Sequence, residues 1–191
     1  MKKRTVFFSL LLFLAVCGIF VTISKAADNP KPDLSGKWER DPKKSRMGKM
    51  TQDLLENIKV TLEISHQEPE LRISVTTDSN GKSVNRETVF YTDGRGEINI
   101  SQFTQVITIG RPLQDSKSIP QNEVKSKTKW EGSKIVSSSS SVINGPGGRI
   151  FQVDSREIRE LSEDKKTLTI KHSLSTPGGI VQLKEVYNRL P

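Results

Sequence analysis

Four residues of this chain have a type and position that could support chemistry: His66, His172, Glu157 and Glu185. Each falls on the apolar parity of its segment. His172 alternates with Leu168, Ile170 and Leu174, Glu157 with Phe151, Val153 and Leu161, and Glu185 with Leu183 and Tyr187. An inward imidazole can ligate haem or a metal, and a buried carboxylate with a raised pKa can serve as a general acid or base. Neither histidine has a third ligand type spaced beside it. The chain also lacks a Ser/His/Asp ordering, a Gly-rich phosphate loop and a nucleophilic cysteine in its body. The sequence therefore assigns no catalytic residue, no metal ligand and no cofactor. The plainer expectation places His66 at a strand end facing solvent, gives His172 a satisfied core hydrogen bond, and pairs Glu157 with Arg156 or Arg159. A further set suits binding: Ser126, Thr128 and Trp130, with His172 and Tyr187, mix apolar walls with a few hydrogen-bonding groups, as small-molecule pockets do. The same side chains would equally fill a packed interior.

The elements that must position these residues read as β-strands. Ile58, Val60, Leu62 and Ile64 alternate with Lys59, Thr61, Glu63 and Ser65, a period of two. Leu71, Ile73 and Val75 repeat it after the turn Gln67-Glu68-Pro69-Glu70. Val84 to Thr92 is ambiguous, because Val84/Phe90 and Val89/Tyr91 lie on opposite faces. Val124, Ser126, Thr128 and Trp130 alternate with Lys125, Lys127, Lys129 and Glu131, which turns Trp130 inward. Ser137 to Ser141 is a run of serines whose flanks keep the strand pattern. Short turns such as Ser79-Asn80-Gly81-Lys82 and Glu131-Gly132-Ser133 join the strands, so neighbours are antiparallel. Thr51 is an N-cap for one or two helical turns within Met50 to Asn57, with Leu54 and Leu55 on the buried side. Two features fall outside the pattern. Residues 101–121 form another strand or a cover over one end, and Asn99-Ile100-Ser101 is a chance glycosylation sequon.

The 191 residues divide by composition. Lys2, Lys3 and Arg4 precede an apolar run, Val6 to Ile23, and Ser24-Lys25-Ala26 supplies small residues for cleavage. Residues 1–26 thus read as a signal peptide, 27–33 as a polar lead-in and 34–191 as the folded domain. An uncleaved anchor and a lipoprotein built on Cys17 are the weaker readings of the same segment. Cys17 lies in that leader, so the exported domain holds no disulfide and depends on its core. The net charge of +8 falls to +4 without the leader, with 26 basic and 22 acidic residues remaining. These charges are scattered rather than clustered with aromatics, which argues against nucleic acid as a partner.

Leu34-Ser35-Gly36-Lys37-Trp38, followed by Asp41-Pro42-Lys43-Lys44-Ser45, resembles the opening of exported bacterial lipocalin-like proteins. The tail is similar too, through Arg156-Glu157-Ile158, Asp164-Lys165-Lys166-Thr167-Leu168 and Glu185-Val186-Tyr187-Asn188-Arg189. That resemblance implies a calycin-type barrel in which Trp38 on the first strand and Arg189 on the last form a structural clasp. An Asp-Gly turn is usual before the penultimate strand of such proteins, whereas here Asp164 is followed by Lys165.

The expectation is an all-β protein, an antiparallel up-and-down barrel of about 8–10 strands, lipocalin-like, behind a signal peptide. Exported to the periplasm or secreted, it binds a small hydrophobic or amphipathic ligand without catalysis, and does not contact the membrane once cleaved. The alternatives are an envelope protein that binds a protein partner on its outer surface around a solid core, and a haem- or metal-handling barrel. The sequence leaves oligomeric state open.

Overall fold

A computed structural model of the chain describes residues 31–48, 51–100, 123–144, 150–176 and 178–191. The leader 1–26, the first residues of the lead-in and the 101–121 segment lie outside the described residues.

Alternating sequence becomes a strand wherever one face can be buried, and that rule accounts for nearly the whole domain. After β1 (Gly36–Arg40) the chain makes a two-residue strand, β2 (Arg46–Met47), and a short helix, α1 (Gln52–Glu56). Nine further strands follow: β3 (Ile58–Gln67), β4 (Glu70–Ser79), β5 (Lys82–Tyr91), β6 (Glu97–Ile100), β7 (Glu123–Glu131), β8 (Lys134–Asn144), β9 (Ile150–Leu161), β10 (Thr167–Thr176) and β11 (Gly179–Arg189). The serine run lies within β8, as its flanks implied. Thr51 caps α1 by accepting a hydrogen bond from the Leu54 amide, and Leu55 is buried. The β4–β5 hairpin turns on Asn80 and Gly81 at φ +51° and +74°, the left-handed pair a tight hairpin needs.

The sheet runs β5-β4-β3-β1-β11-β10-β9-β8-β7-β6, each strand antiparallel to its neighbour, with β2 added beside β11. Apart from β2 and the β5–β6 boundary, strands consecutive in the chain pair with each other, and the first strand pairs with the last. This is an up-and-down barrel with β5 and β6 as the two ends of its path. Inward parity on β5 belongs to Val84, Arg86, Thr88 and Phe90, since Thr88 and Phe90 are buried.

The interior is layered. Leu34, Trp38, Leu62, Ile64, Leu71, Ile73, Ile135 and Leu168 pack the lower end without solvent access worth noting. Each such side chain contributes about 2 kcal/mol on burial. A smaller cluster of Met47, Leu55, Leu174 and Leu183 sets α1 against the upper end of β10 and β11. Around it the inward residues are less covered: Val75, Thr77, Val84, Val124, Ser139 and Ser155 are half-buried, and Val181 is 43% exposed.

Arg189 joins the two chain ends. Trp38 and Arg189 are register partners, and the guanidinium lies 4.3 Å from the Trp38 ring centroid. It donates to the Ser35 carbonyl (2.8 Å) and the Lys165 carbonyl (2.9 Å), while the Trp38 indole donates to Leu34 (3.1 Å). A Cβ on Gly36 would stand 2.9 Å from Arg189 Nη1, and Gly36 adopts φ +132°. Only glycine leaves room for that guanidinium. Lys165, where the lipocalin-like pattern favours glycine, holds φ +57° and presents its carbonyl to Arg189.

Candidate functional site

Halfway up the barrel, polar side chains on successive strands touch one another in a continuous belt. It begins on β1, where Arg40 Nη1 lies 3.6 Å from Glu185 Oε1 of β11. Glu185 Oε2 is 3.5 Å from His172 Nε2 on β10, and His172 Nδ1 is 3.4 Å from Glu157 Oε2 on β9. Glu157 Oε1 then meets Arg159 Nη2 at 2.5 Å. Arg159 Nη1 donates to Ser137 Oγ on β8 (2.8 Å), which shares a 2.7 Å hydrogen bond with Thr128 Oγ1 on β7. Thr128 and Ser126 both donate to Glu97 Oε1 of β6, at 2.8 and 2.7 Å. Glu97 Oε2 accepts from the Tyr91 amide of β5 (3.3 Å). The register explains this: Glu157 stands opposite both His172 and Ser137, and Ser137 opposite Thr128.

The last links close the barrel. β5 and β6 share no ladder; side chains take its place. The Asn99 amide donates to the Val89 carbonyl (2.9 Å) and accepts from the Val89 amide (3.3 Å), as a strand residue would.

Electrostatics within the belt are set by burial and by close opposite charges. Burial alone would lower the His172 pKa, but the charges of Glu157 and Glu185 outweigh it and hold the imidazole above its usual value. Burial would raise Glu185, yet His172 and Arg40 bring it below the usual carboxylate range. Tyr187, buried and hydrogen-bonded to Glu185, has its phenol pushed well up and stays neutral. Arg159 is drawn down by burial against the pull of Glu157 and Glu97, and its guanidinium also lies 4.0 Å from the Phe90 ring. A guanidinium stays charged even so. Burying an ion costs several kcal/mol unless it is paired, and the belt supplies the pairs. Two donors are left over: Nε of Arg40 and Nε of Arg159 are buried without a partner.

Among the sequence-selected residues, the structure brings His172, Tyr187, Thr128 and Ser126 into this one network. Trp130 stands apart. Its indole donates to Glu68 (2.6 Å) at the β3–β4 turn, and its ring stacks on His66 with centroids 5.9 Å apart. His66 does not face solvent: its side chain is 4% exposed and its Nε2 lies 3.0 Å from Glu68. Strand-end position suggested otherwise, but Trp130 covers the ring from across the lower end. Of the two arginines offered as partners for Glu157, Arg159 takes the role; Arg156 points outward to Glu131. Sequence reasoning missed Arg40 and Glu97. Arg40 continues the inward parity of Trp38, which was a usable signal. Glu97 sits on a strand of four residues, too short to display a period.

Among the described residues no group of three His, Cys, Asp or Glu side chains is placed to hold a metal. A cavity of about 1200 Å³ is lined by residues of both parities, the outward Lys125, Lys127, Ser138 and Arg156 together with the inward Glu97, Ser126, Ser139 and Ser155.

No protein-family model matches the sequence, and no curated protein matches it either. Solved structures of similar shape exist at low identity. They include the zebrafish ileal bile acid-binding protein complexed with cholic acid (15% identity, 82% of this chain and 98% of that one, TM-score 0.46). A Schistosoma mansoni fatty acid binding protein in complex with arachidonic acid aligns over 83% of this chain and 96% of its own, at 15% identity and TM-score 0.44. The REP1-NXSQ fatty acid transporter gives 15% identity, 83% and 97% coverage, and TM-score 0.47. The superpositions are loose, so the architecture rests on the strand register given above.

Proposed function

We propose that this protein is a non-catalytic carrier that takes a small hydrophobic or amphipathic ligand into the upper half of its barrel. One observation carries the reading. Toward the upper end the inward side chains of β4, β5, β7, β8 and β9 (Val75, Thr77, Val84, Val124, Ser139 and Ser155) keep partial solvent access, whereas those of the lower end are sealed. Apolar residues (Val75, Val84, Val124) and small polar ones (Ser139, Ser155) share that space, the mixture a ligand pocket requires. The belt residues bond to one another rather than to a nucleophile, which suits recognition better than turnover. Residues 1–26 act in this reading as a removed leader, which puts the barrel in the periplasm or outside the cell.

Native mass spectrometry of the protein purified from its own host tests both points. The expected spectrum shows a chain shortened by the leader and carrying a small molecule, and Ser139→Trp, which fills the chamber, loses the added mass. An unliganded chain that also fails to bind lipophilic probes would end the proposal. The outward part of that cavity's lining, Lys125, Lys127, Ser138 and Arg156, favours a second reading, in which a protein partner docks on that face; co-purification of a stoichiometric partner without a ligand supports it.

A further inference from the structure

The charges of the domain are scattered along the sequence, but strand parity sorts them onto opposite sides of the barrel. On the outward parity of β1, β3, β4 and β5, three cations stand against five carboxylates, a net charge of −2. Lys37, Lys59 and Arg72 are those cations, and each pairs with a carboxylate of its own side. On the outward parity of β7 to β11, seven cations stand against four carboxylates, a net charge of +3. There Lys129 and Arg156 share Glu131, and Lys134 and Lys171 share Glu160. Asp154 accepts from Gln152, and Glu123 is the fourth acid by parity. Lys125, Lys127 and Lys184 are exposed and form no ion pair among the described residues. Arg46 of β2 stands beside Lys184 in register and adds to the same sign. The acidic helix α1, with Asp53 and Glu56, packs through Leu55 on the inward Met47, Leu174 and Leu183, off this side.

The same side holds most of the exposed large apolar side chains. Among the described residues there are five, and four stand toward its upper edge: Ile98 (60%), Val142 (59%), Ile180 (68%) and Val181. Register places Ile98, Lys125, Ser140, Asp154, Ser175 and Ile180 in one cross-strand row from β6 to β11. At the usual strand spacing this row is about 24 Å long. Val142 stands one outward position above Ser140 on β8. The serines between the two isoleucines are short, so no bulky side chain holds a flat surface away from them. Exposed apolar residues scattered singly need no explanation, but a group of them beside unpaired lysines does.

We infer that the upper part of the outward side of β6 to β11 docks on an anionic lipid bilayer. Lys125, Lys127 and Lys184 sit over the head groups, and Ile98, Val142 and Ile180 enter the acyl boundary. Interfacial binding draws on this pair of terms, apolar burial and attraction of basic residues to anionic lipid. A protein partner fits less well. Protein interfaces favour aromatics and arginine over lysine, whereas the outward parity of β6 to β11 holds no aromatic and its one arginine, Arg156, is paired with Glu131. The inference departs from the expectation of a barrel free of the membrane, which rested on charge read along the chain rather than across the sheet. It does not depend on the barrel holding a ligand.

Co-sedimentation of the chain without its leader tests this, using vesicles of phosphatidylcholine alone or mixed with phosphatidylglycerol. The expected result is binding to the mixed vesicles that falls as salt is added, and little binding to phosphatidylcholine alone. Lys125→Gln/Lys127→Gln should weaken it about 25-fold, at about five-fold for each lysine. Ile98→Asn/Ile180→Asn should remove sedimentation at the same lipid concentration. Lys37→Gln/Lys59→Gln, on the negative side, should leave it unchanged. All six positions are exposed, so the variants keep the fold. No sedimentation with the mixed vesicles overturns the inference. An equal loss in the negative-side pair also overturns it, because attraction would then follow net charge and not this side. Full binding by the isoleucine variant does the same. A protein that co-purifies on this side while vesicles go unbound assigns it to a partner instead. Vesicle binding by an unliganded chain upholds the inference and leaves the carrier reading to its own test.

Discussion

His172 shows how a single side chain can set the pH range of the whole barrel. Its pKa is raised in the folded state, so the stability it adds is complete below the ordinary imidazole value and is lost as pH rises through the raised one. Glu185 acts in the other direction. Its pKa is depressed, so its contribution is complete above the ordinary carboxylate value and is lost as pH falls through the depressed one. Both contributions coexist between about pH 4.5 and 6.5, the interval bounded by the two ordinary values. Thermal melts across pH should therefore show a plateau there and a decline on either side. His172→Gln should flatten the alkaline decline and also weaken the acid one, because His172 helps to hold Glu185 down. An unchanged alkaline limb in the variant would mean that another group controls it. Part of this was legible beforehand, since His172, Glu157 and Glu185 all fall on inward parity. Their mutual contact was not, because parity says which way a residue points and not what stands opposite. That depends on the register of three strands, which is fixed by turns and by packing elsewhere in the sheet.

At the scale of elements, the β5–β6 boundary differs from every other in the barrel. Elsewhere a backbone ladder holds adjacent strands; here Asn99 and Glu97 hold them with side chains. Asn99→Ala removes two hydrogen bonds and leaves the Val89 amide and carbonyl without partners, a cost of about 1–2 kcal/mol. The loss should be local. Hydrogen exchange of the Val89 and Tyr91 amides should quicken, while the β3–β4 amides keep their protection. Uniform loss of protection across the sheet would show instead that the boundary is integral to the barrel's cooperativity. The long strands were readable from alternation, and so was the capped helix from Thr51. β6 was not, because four residues give too little period to separate a strand from a loop. The ambiguity of β5 has a related cause: Val89 and Tyr91 are apolar yet lie on the outward parity, so composition alone could not orient that strand.

For the whole molecule, the decisive join is between β1 and β11. Arg189→Gln should cost about 2 kcal/mol, from the lost stacking on Trp38 and the lost charge-assisted bonds to Ser35 and Lys165. The penalty should appear in urea unfolding as a lower midpoint with an unchanged slope, because the surface exposed on unfolding stays the same. Gly36→Ala should disturb the same join, by placing a methyl where the guanidinium lies. The motif Gly36-Lys37-Trp38 and the terminal Arg189 made this the most legible long-range contact in the sequence. The join also dictates an order of events. Trp38 cannot meet its partner until Arg189 has been made, 151 positions later in the numbering. Until then a growing chain has β1 unpaired on one side, and every intermediate sheet offers naked strand rims to its neighbours. Closure over such a span is slow, so the interval between synthesis and completion is when this protein is most open to self-association or to a chaperone.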